Sequence, residues 1–291
     1  MNKPLVMLIS GAMIIGISPI LVRLSEIGPV ASAFHRLFLA WPWLWLLMRI
    51  SVTTGMVEPT RKPSTGLVIL AGFIFSVDLA FWHGSIMLTS VSNATVLANL
   101  APVFVAFGAW MIFSEMLNTR FVLSLIMGIG GVVLLMLDSL DMSTGHFIGD
   151  VLGVFTAVFY AMYLLVIREL RRHYSTWALM TWTVGIAAVL LLPLAYVMEA
   201  QLFPSTLRGW MILLILAIGS QVVGQSLITY ALAHLPVSFS SLSLLMQPVV
   251  ATMLAWWLFG ENLQVFQWFG MTFILTAIVL ARRSGSAVKQ A

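Results

Sequence analysis

The chain has 291 residues, of which 61% are hydrophobic and 8% charged, with a formal net charge of +4 and no cysteine. Ordinary globular chains carry roughly 25% charged residues, so there are too few charges here to cover a water-exposed surface, and lipid must cover it instead. The basic residues sit in loops rather than along one face, which argues against a nucleic-acid partner; the lack of cysteine excludes a disulfide framework, a thiol nucleophile or an iron–sulfur cluster.

Apolar runs of about 20 residues, long enough to span a bilayer, fall near residues 4–22, 30–49, 66–88, 92–113 and 120–137. A second set falls near 147–167, 176–198, 209–233, 237–259 and 264–281. The first run, with Lys3 before it and Ala31-Ser32-Ala33 after it, imitates a secretory signal. Arg23, Glu26 and Pro29 push that triplet away from the apolar run, which is therefore read as an uncleaved first span. Apolar and polar residues do not alternate as barrel strands require. The expected fold is an all-α integral membrane protein of ten transmembrane helices.

If the N-terminus is cytoplasmic, the inside segments hold Lys3, Arg49, Arg61, Lys62, Arg120, Arg168, Arg171, Arg172, Arg282, Arg283 and Lys289, and the outside segments hold Arg23 and Arg208. The excess of basic residues inside places both termini in the cytoplasm.

The fourth span returns in the ninth. Ser92–Leu117 and Ser238–Leu263 align without a gap and share Ser92/Ser238, Pro102/Pro248, Val103/Val249, Ala109/Ala255, Trp110/Trp256, Phe113/Phe259, Glu115/Glu261 and Leu117/Leu263. Proline, tryptophan and glutamate are not residues that lipid solubility alone selects, so the chain reads as two copies of one unit. Five spans per unit is odd, so the second copy is inverted relative to the first. That architecture allows one central site to open alternately to either side. The units are residues 1–137 and 147–283, joined by an external acidic linker, 138–146, and followed by a cytoplasmic tail, 284–291.

Prolines at 19, 42, 102, 193 and 248 are expected to kink their helices by removing a backbone donor, and Pro19, Pro102 and Pro248 are the candidate hinges. Gly149, Gly153, Ala157 and Ala161 form a small-residue stripe for close helix packing. Glu115 and Glu261 are read as caps at the start of the helix that follows each.

The ionisable side chains well inside spans are His35, Arg36, Asp78 and His83, and such residues face an interior and mark function. At 1.5 Å per residue, Arg36 lies roughly 9 Å, His83 about 8 Å and Asp78 about 15 Å below the outer surface. An Arg36–Asp78 ion pair, direct or through water, is expected. It could simply fix the second and third spans; Asp78 or His83 could instead carry a proton, or Arg36 could bind a substrate carboxylate. Trp82, one turn beyond Asp78, is placed to stack on a substrate or on Arg36. Trp182 is the other deep tryptophan, and the rest sit toward span ends as interfacial anchors.

Uncharged polar groups converge near the midplane. The fourth span offers Thr95 and Asn99; the sixth offers Thr156, Tyr160 and Tyr163. The eighth offers Gln221, Gln225 and Thr229, and the ninth Ser240, Ser243 and Gln247. Singly, each could be interhelical glue. Together they suit a zwitterionic or amphipathic solute. The substrate-binding candidates are Arg36, Asp78, Trp82, His83, Thr95, Asn99, Tyr160, Tyr163, Gln221, Gln225, Ser243 and Gln247.

The two proline-to-glutamate stretches (Pro102 to Glu115 and Pro248 to Glu261), Phe34-His35-Arg36 and the glycines 128, 130 and 131 together resemble the EamA type of the drug/metabolite transporter superfamily over essentially the whole chain. The resemblance implies ten helices in two inverted halves around a cavity lined mainly by spans 1, 3, 4, 6, 8 and 9. It also implies export or exchange of small metabolites, often amino acids. Trp182 stands where the second half would match Arg36.

No GxxxxGK[ST] motif is present, so ATP is not used directly, and HExxH is absent. His35, His83, His146, His173 and His234 lack ligand spacing, so a membrane enzyme is disfavoured and neither cofactor nor metal is expected. No sizeable soluble domain supports a sensor or scaffold. The expected function is a secondary transporter of the inner membrane exporting amino acids or related amphipathic metabolites; a drug, sugar or nucleotide-like substrate, or a channel, are the alternatives. The expected partners are a small-molecule substrate and lipid, with the chain a monomer or a weak homodimer joined through small residues of the fifth and tenth spans.

Overall fold

The computed structural model describes residues 3–54, 65–139, 147–260 and 262–284, and every regular element among them is helical. The long helices, in order, are α1 (Lys3–Arg23), α2 (Pro29–Thr53), α3 (Thr65–Leu88), α4 (Ser92–Phe113) and α5 (Thr119–Met136). They continue with α6 (Phe147–Leu170), α7 (Thr176–Met198), α8 (Leu207–Leu232), α9 (Val237–Phe259) and α10 (Val265–Arg283). Among the described residues, nine are long and apolar enough to cross a membrane, all of these except α2. α2 has 25 residues, but His35, Arg36, Pro42 and its three tryptophans lower its hydropathy.

Hydrogen-bonding side chains set several starts. Asn118, Ser175 and Thr206 accept from the backbone amides of Phe121, Ala178 and Gly209, satisfying donors that a helix start leaves open. Gln264 and Gln267 form a reciprocal capping box on α10.

Three helices are interrupted, each just before a proline. α1 breaks between Ile15 and Ser18, α4 between Ala98 and Ala101, and α9 between Ser243 and Met246. Pro19, Pro102 and Pro248 lie in the first turn of the segments that restart, where a missing N–H does no harm. Pro42 and Pro193 sit inside continuous helices. α8 carries an irregularity that apolar periodicity did not announce: Leu216–Gln225 is π-helical.

α5 packs along α10, α3 along α6 and α7, α8 along α1 and α2, and α4 along α6. The α5–α10 contact is closest at Gly131 and Gly270, where a β-carbon on either would come 2.7 Å from the carbonyl oxygen of the other. These two glycines serve a helix contact within the chain. The stripe on α6 packs as expected. Gly149 sits against the backbone of Leu88 and Thr89, Gly153 against Leu97 and Ser85, and Ala157 and Ala161 are buried.

Glu115 does not cap the helix that follows it; Asn118 does that. The Glu115 carboxylate is 3% exposed and reaches the start of α9, accepting from the amides of Val237 (2.9 Å) and Ser238 (3.2 Å) and from the Ser238 hydroxyl, while Arg168 at the end of α6 pairs with it at 3.3 Å. The cap therefore joins the two halves. Glu261 lies outside the described residues. Trp182, within α7, is 54% exposed and faces away from the core.

Candidate functional site

The three helix breaks converge. Gly16, in the break of α1, lies so close to α9 that a β-carbon there would sit 2.8 Å from the Gln247 carbonyl oxygen. Ser18, just past that break, shares a 2.6 Å hydrogen bond with Ser220 in the π-helical stretch of α8. The broken segments of α4 and α9 enclose a cavity of about 40 Å³ with α6, lined by Ala98, Asn99, Ala101, Pro102, Tyr160, Leu164, Ser241, Leu244, Leu245 and Gln247. Pro102 removes the donor that the Ala98 carbonyl would otherwise meet one turn on.

Asn99, Tyr160 and Gln247 line this cavity as the sequence suggested. The Asn99 amide donates to the Thr95 carbonyl at 2.8 Å, and the Tyr160 hydroxyl lies against Gln247. Ser243 does not join them: it is fully buried, and its hydroxyl donates to the Phe239 carbonyl one turn back. Ser240 and Thr156 are turned onto their own helices in the same way, and Thr229 donates to the Met180 sulfur. Ser241, Ala98 and Leu244 were not anticipated. Ser241 belongs to the serine run of α9 and lines the cavity although its hydroxyl donates to the Ser238 carbonyl at 2.9 Å.

Beside Tyr160 lies a second, charged group of residues. Arg36, Asp78, Tyr160 and Tyr163 are within electrostatic reach of one another. No ion pair closes between Arg36 and Asp78 among the described residues. Instead, the Arg36 Nε donates to Gln221 Oε1 of α8 at 3.0 Å. The expected pair is thus a facing pair, with the arginine steered toward α8. Asp78 is 6% exposed. Tyr163 is fully buried and stacks on Phe75 with ring centres 4.7 Å apart. Its hydroxyl faces Gln225 and Thr183 without closing a hydrogen bond to either. Among the described residues, the buried polar atoms without a hydrogen-bond partner are the Tyr163 hydroxyl, Nε2 of Gln221, Nε2 of Gln225 and the Ser226 hydroxyl.

The remaining candidates sit at the margin. His83 is buried, and its Nδ1 meets the Leu79 carbonyl at 2.5 Å, with the Pro29 carbonyl also beside the ring. Trp82 packs edge-on against His83 at 4.9 Å rather than over the Arg36 guanidinium. His35, next to Arg36 in the chain, turns to another side of α2 into an aromatic cluster with Phe34, Phe203 and Trp210. Pro19 is exposed, whereas Pro102 and Pro248 are buried, and of these Pro102 lines the cavity.

The sequence profile of the EamA-like transporter family matches this chain twice, at residues 2–137 and 147–283. An uncharacterized transporter of Archaeoglobus fulgidus is 23% identical over 276 residues, covering 95% of this chain and 95% of that protein. The pseudopaline exporter CntI of Pseudomonas aeruginosa is 24% identical over 202 residues, 69% of this chain and 67% of that protein. A solved crystal structure superposes with a TM-score of 0.81 at 16% identity, covering 98% of both chains, a likeness of fold.

Proposed function

The chain belongs to the EamA-like transporter family, a multi-pass membrane transporter and not an enzyme, and from that premise we propose that it is a secondary transporter exporting amino acids or related amphipathic metabolites by alternating access. In this reading α2 is the tenth span, its polar residues tolerated because they face α7 and α8 rather than lipid. The two halves are inverted repeats, residues 1–137 and 147–283, that rock about the central site. The excess of lysine and arginine at one face puts both termini in the cytoplasm of a cell whose inner membrane holds the chain.

Three pairs of features support the internal symmetry at the 146-residue offset or close to it. The left-handed residues closing α4 and α9 are Ser114 (φ 53°) and Gly260 (φ 65°). The Arg168 guanidinium covers the Phe113 ring at 5.4 Å, and Arg23 covers the equivalent ring, Phe259, at 4.3 Å. The packing of α3 on α6 and α7 is answered by that of α8 on α1 and α2.

The observation that carries the transport reading is the cavity between the broken segments of α4 and α9, next to the Arg36–Asp78 group. Discontinuous helices meeting at a buried polar site suit a solute that must be held and then released. The relation to an exporter supports outward movement. The test is counterflow in proteoliposomes with labelled amino acids, nucleosides and sugars, with and without a pH gradient. Accumulation of an amino acid against its gradient supports the reading; absence of counterflow for every class overturns it.

A further inference from the structure

Around Arg36 several buried polar groups have no hydrogen-bond partner among the described residues. Gln221 Oε1 is committed to the Arg36 Nε, which fixes the orientation of that amide and leaves its Nε2 without a partner. One turn on, Gln225 presents a second unpartnered Nε2, and the unpartnered Tyr163 hydroxyl faces it. Gln221 is fully buried, Gln225 is 3% exposed and Tyr163 is fully buried, so bulk water does not serve these groups. Leaving a buried donor unmade costs about 1–3 kcal/mol, and buried polar groups are as a rule paired. Both amides sit in the π-helical stretch Leu216–Gln225, and π-helical turns recur at functional sites. The two terminal nitrogens of Arg36 make no hydrogen bond among the described residues.

We propose that Arg36, Gln221, Gln225 and Tyr163 form a carboxylate-binding subsite, and that Asp78 facing it seats the ammonium group of the same substrate. The inference rests on the transport reading above and gives its substrate a charge pattern and an orientation. A water offers one oxygen. A carboxylate offers two oxygens with about four acceptor positions and takes paired hydrogen bonds from a guanidinium. An anion without a cationic group would leave one charge uncompensated beside Asp78, which is expensive within a membrane. A zwitterion adds no net charge: its carboxylate turns to Arg36 and α8, its ammonium to Asp78, and its body lies past Tyr160 toward the cavity of Asn99, Pro102 and Gln247.

The experiment is competition of amino-acid counterflow in proteoliposomes by four matched compounds: L-leucine, L-leucinamide, 3-methylbutylamine and 4-methylpentanoate, repeated with the phenylalanine set. On the native protein the amino acid should compete best. Loss of the carboxylate or of the ammonium should weaken competition about tenfold or more, the loss of one hydrogen bond to a charged group. Gln225→Glu, which replaces a donor by an acceptor of the same shape, should weaken the amino acid about tenfold or more and leave 3-methylbutylamine no weaker. Asp78→Asn should narrow the gap between leucine and 4-methylpentanoate. Unliganded melting and monodisperse elution check that each variant is folded; if one is not, the analogue series on the native protein decides. Equal competition by leucine and leucinamide overturns the subsite, as does unchanged leucine competition in a folded Gln225→Glu protein. Counterflow of sugars or nucleosides but not of any amino acid sinks the subsite while transport stands. Counterflow of nothing sinks the transport reading itself.

Discussion

Replacing Glu115 by glutamine should unlatch the face of the protein that carries the termini. The carboxylate is nearly inaccessible and holds four donors: the amides of Val237 and Ser238, the Ser238 hydroxyl and the Arg168 guanidinium. Arg168 also donates to the Leu235 carbonyl at 3.0 Å, so the same seal spans the ends of α4, α6, α8 and α9. Glutamine keeps one acceptor oxygen but turns an NH₂ toward donors and removes the charge facing Arg168. Hydrogen bonds to charged groups contribute about 1.5–3 kcal/mol each, so the sealed arrangement loses about 2–4 kcal/mol, and its population relative to an open one falls on the order of 30- to 1,000-fold. The natural chain has no cysteine, so Ala98→Cys reports on the cavity alone. In inside-out vesicles, a membrane-impermeant maleimide should label Ala98→Cys at least about tenfold faster when Glu115→Gln is present, by the same arithmetic. An unchanged labelling rate in a protein that melts and elutes normally would refute the latch and return Glu115 to a helix cap with no part in opening.

Restoring a backbone donor at the breaks, by Pro102→Ala or Pro248→Ala, should join the two segments of α4 or α9 and slow counterflow roughly tenfold without loss of folded protein, because the cavity wall shifts with the helix. Ser114→Gly should raise the apparent melting temperature, since a side chain in the left-handed region is disfavoured by about 1 kcal/mol and Ser114 is exposed with φ 53°. Gly131→Ala should lower it, costing about 1–3 kcal/mol by overpacking, because the added carbon meets the Gly270 carbonyl oxygen at 2.7 Å. In the loop after α1, the Thr206 hydroxyl and the amides of Thr206 and Ser205 hold the Glu26 carboxyl below its ordinary value of 4.5. That contribution is fully present above the ordinary carboxylate range and is lost as pH falls through the lower folded value. Melting curves of native and Glu26→Gln protein should therefore differ above about pH 5 and converge in stronger acid.

The spans were legible because length and apolarity are local properties. The run expected near residues 92–113 is the helix Ser92–Phe113, and that near 176–198 is Thr176–Met198. The proline breaks were half legible. Proline guarantees a lost donor, but whether the helix parts depends on what packs around it, and Pro42 and Pro193 are held within continuous helices. What sequence could not supply was the partner of each polar group. Glu115 bonds to residues more than a hundred positions away, and Arg36 is 185 positions from Gln221. Depth alone put Arg36 opposite Asp78 and left out the amide that competes for the guanidinium. Trp182 matches Arg36 in the repeat, but depth along a helix says nothing of the face, and its face is outward.

The family profile matches the chain twice, but the side chains at the centre of the bundle differ between the two matches. At the 146-residue offset Arg36 meets Trp182, Asp78 meets Gly224 and Pro19 meets Leu165. The first half therefore supplies the charges and a broken α1, while the second supplies amides on α8 and an unbroken α6. A rigid α6 carrying Tyr160, Tyr163 and Arg168 connects the site to the seal at Glu115 in one piece. In the proposed subsite, a substrate bound to Tyr163 would therefore act on the same helix whose far end pairs with Glu115. The other face has its own arginine-over-ring contact, Arg23 on Phe259, at the end of the segment of α1 that follows the break. On the alternating-access reading proposed above, one closure is carried by an unbroken α6 and the other by the α1 segment that follows a break, so the two faces would not open by mirror-image movements.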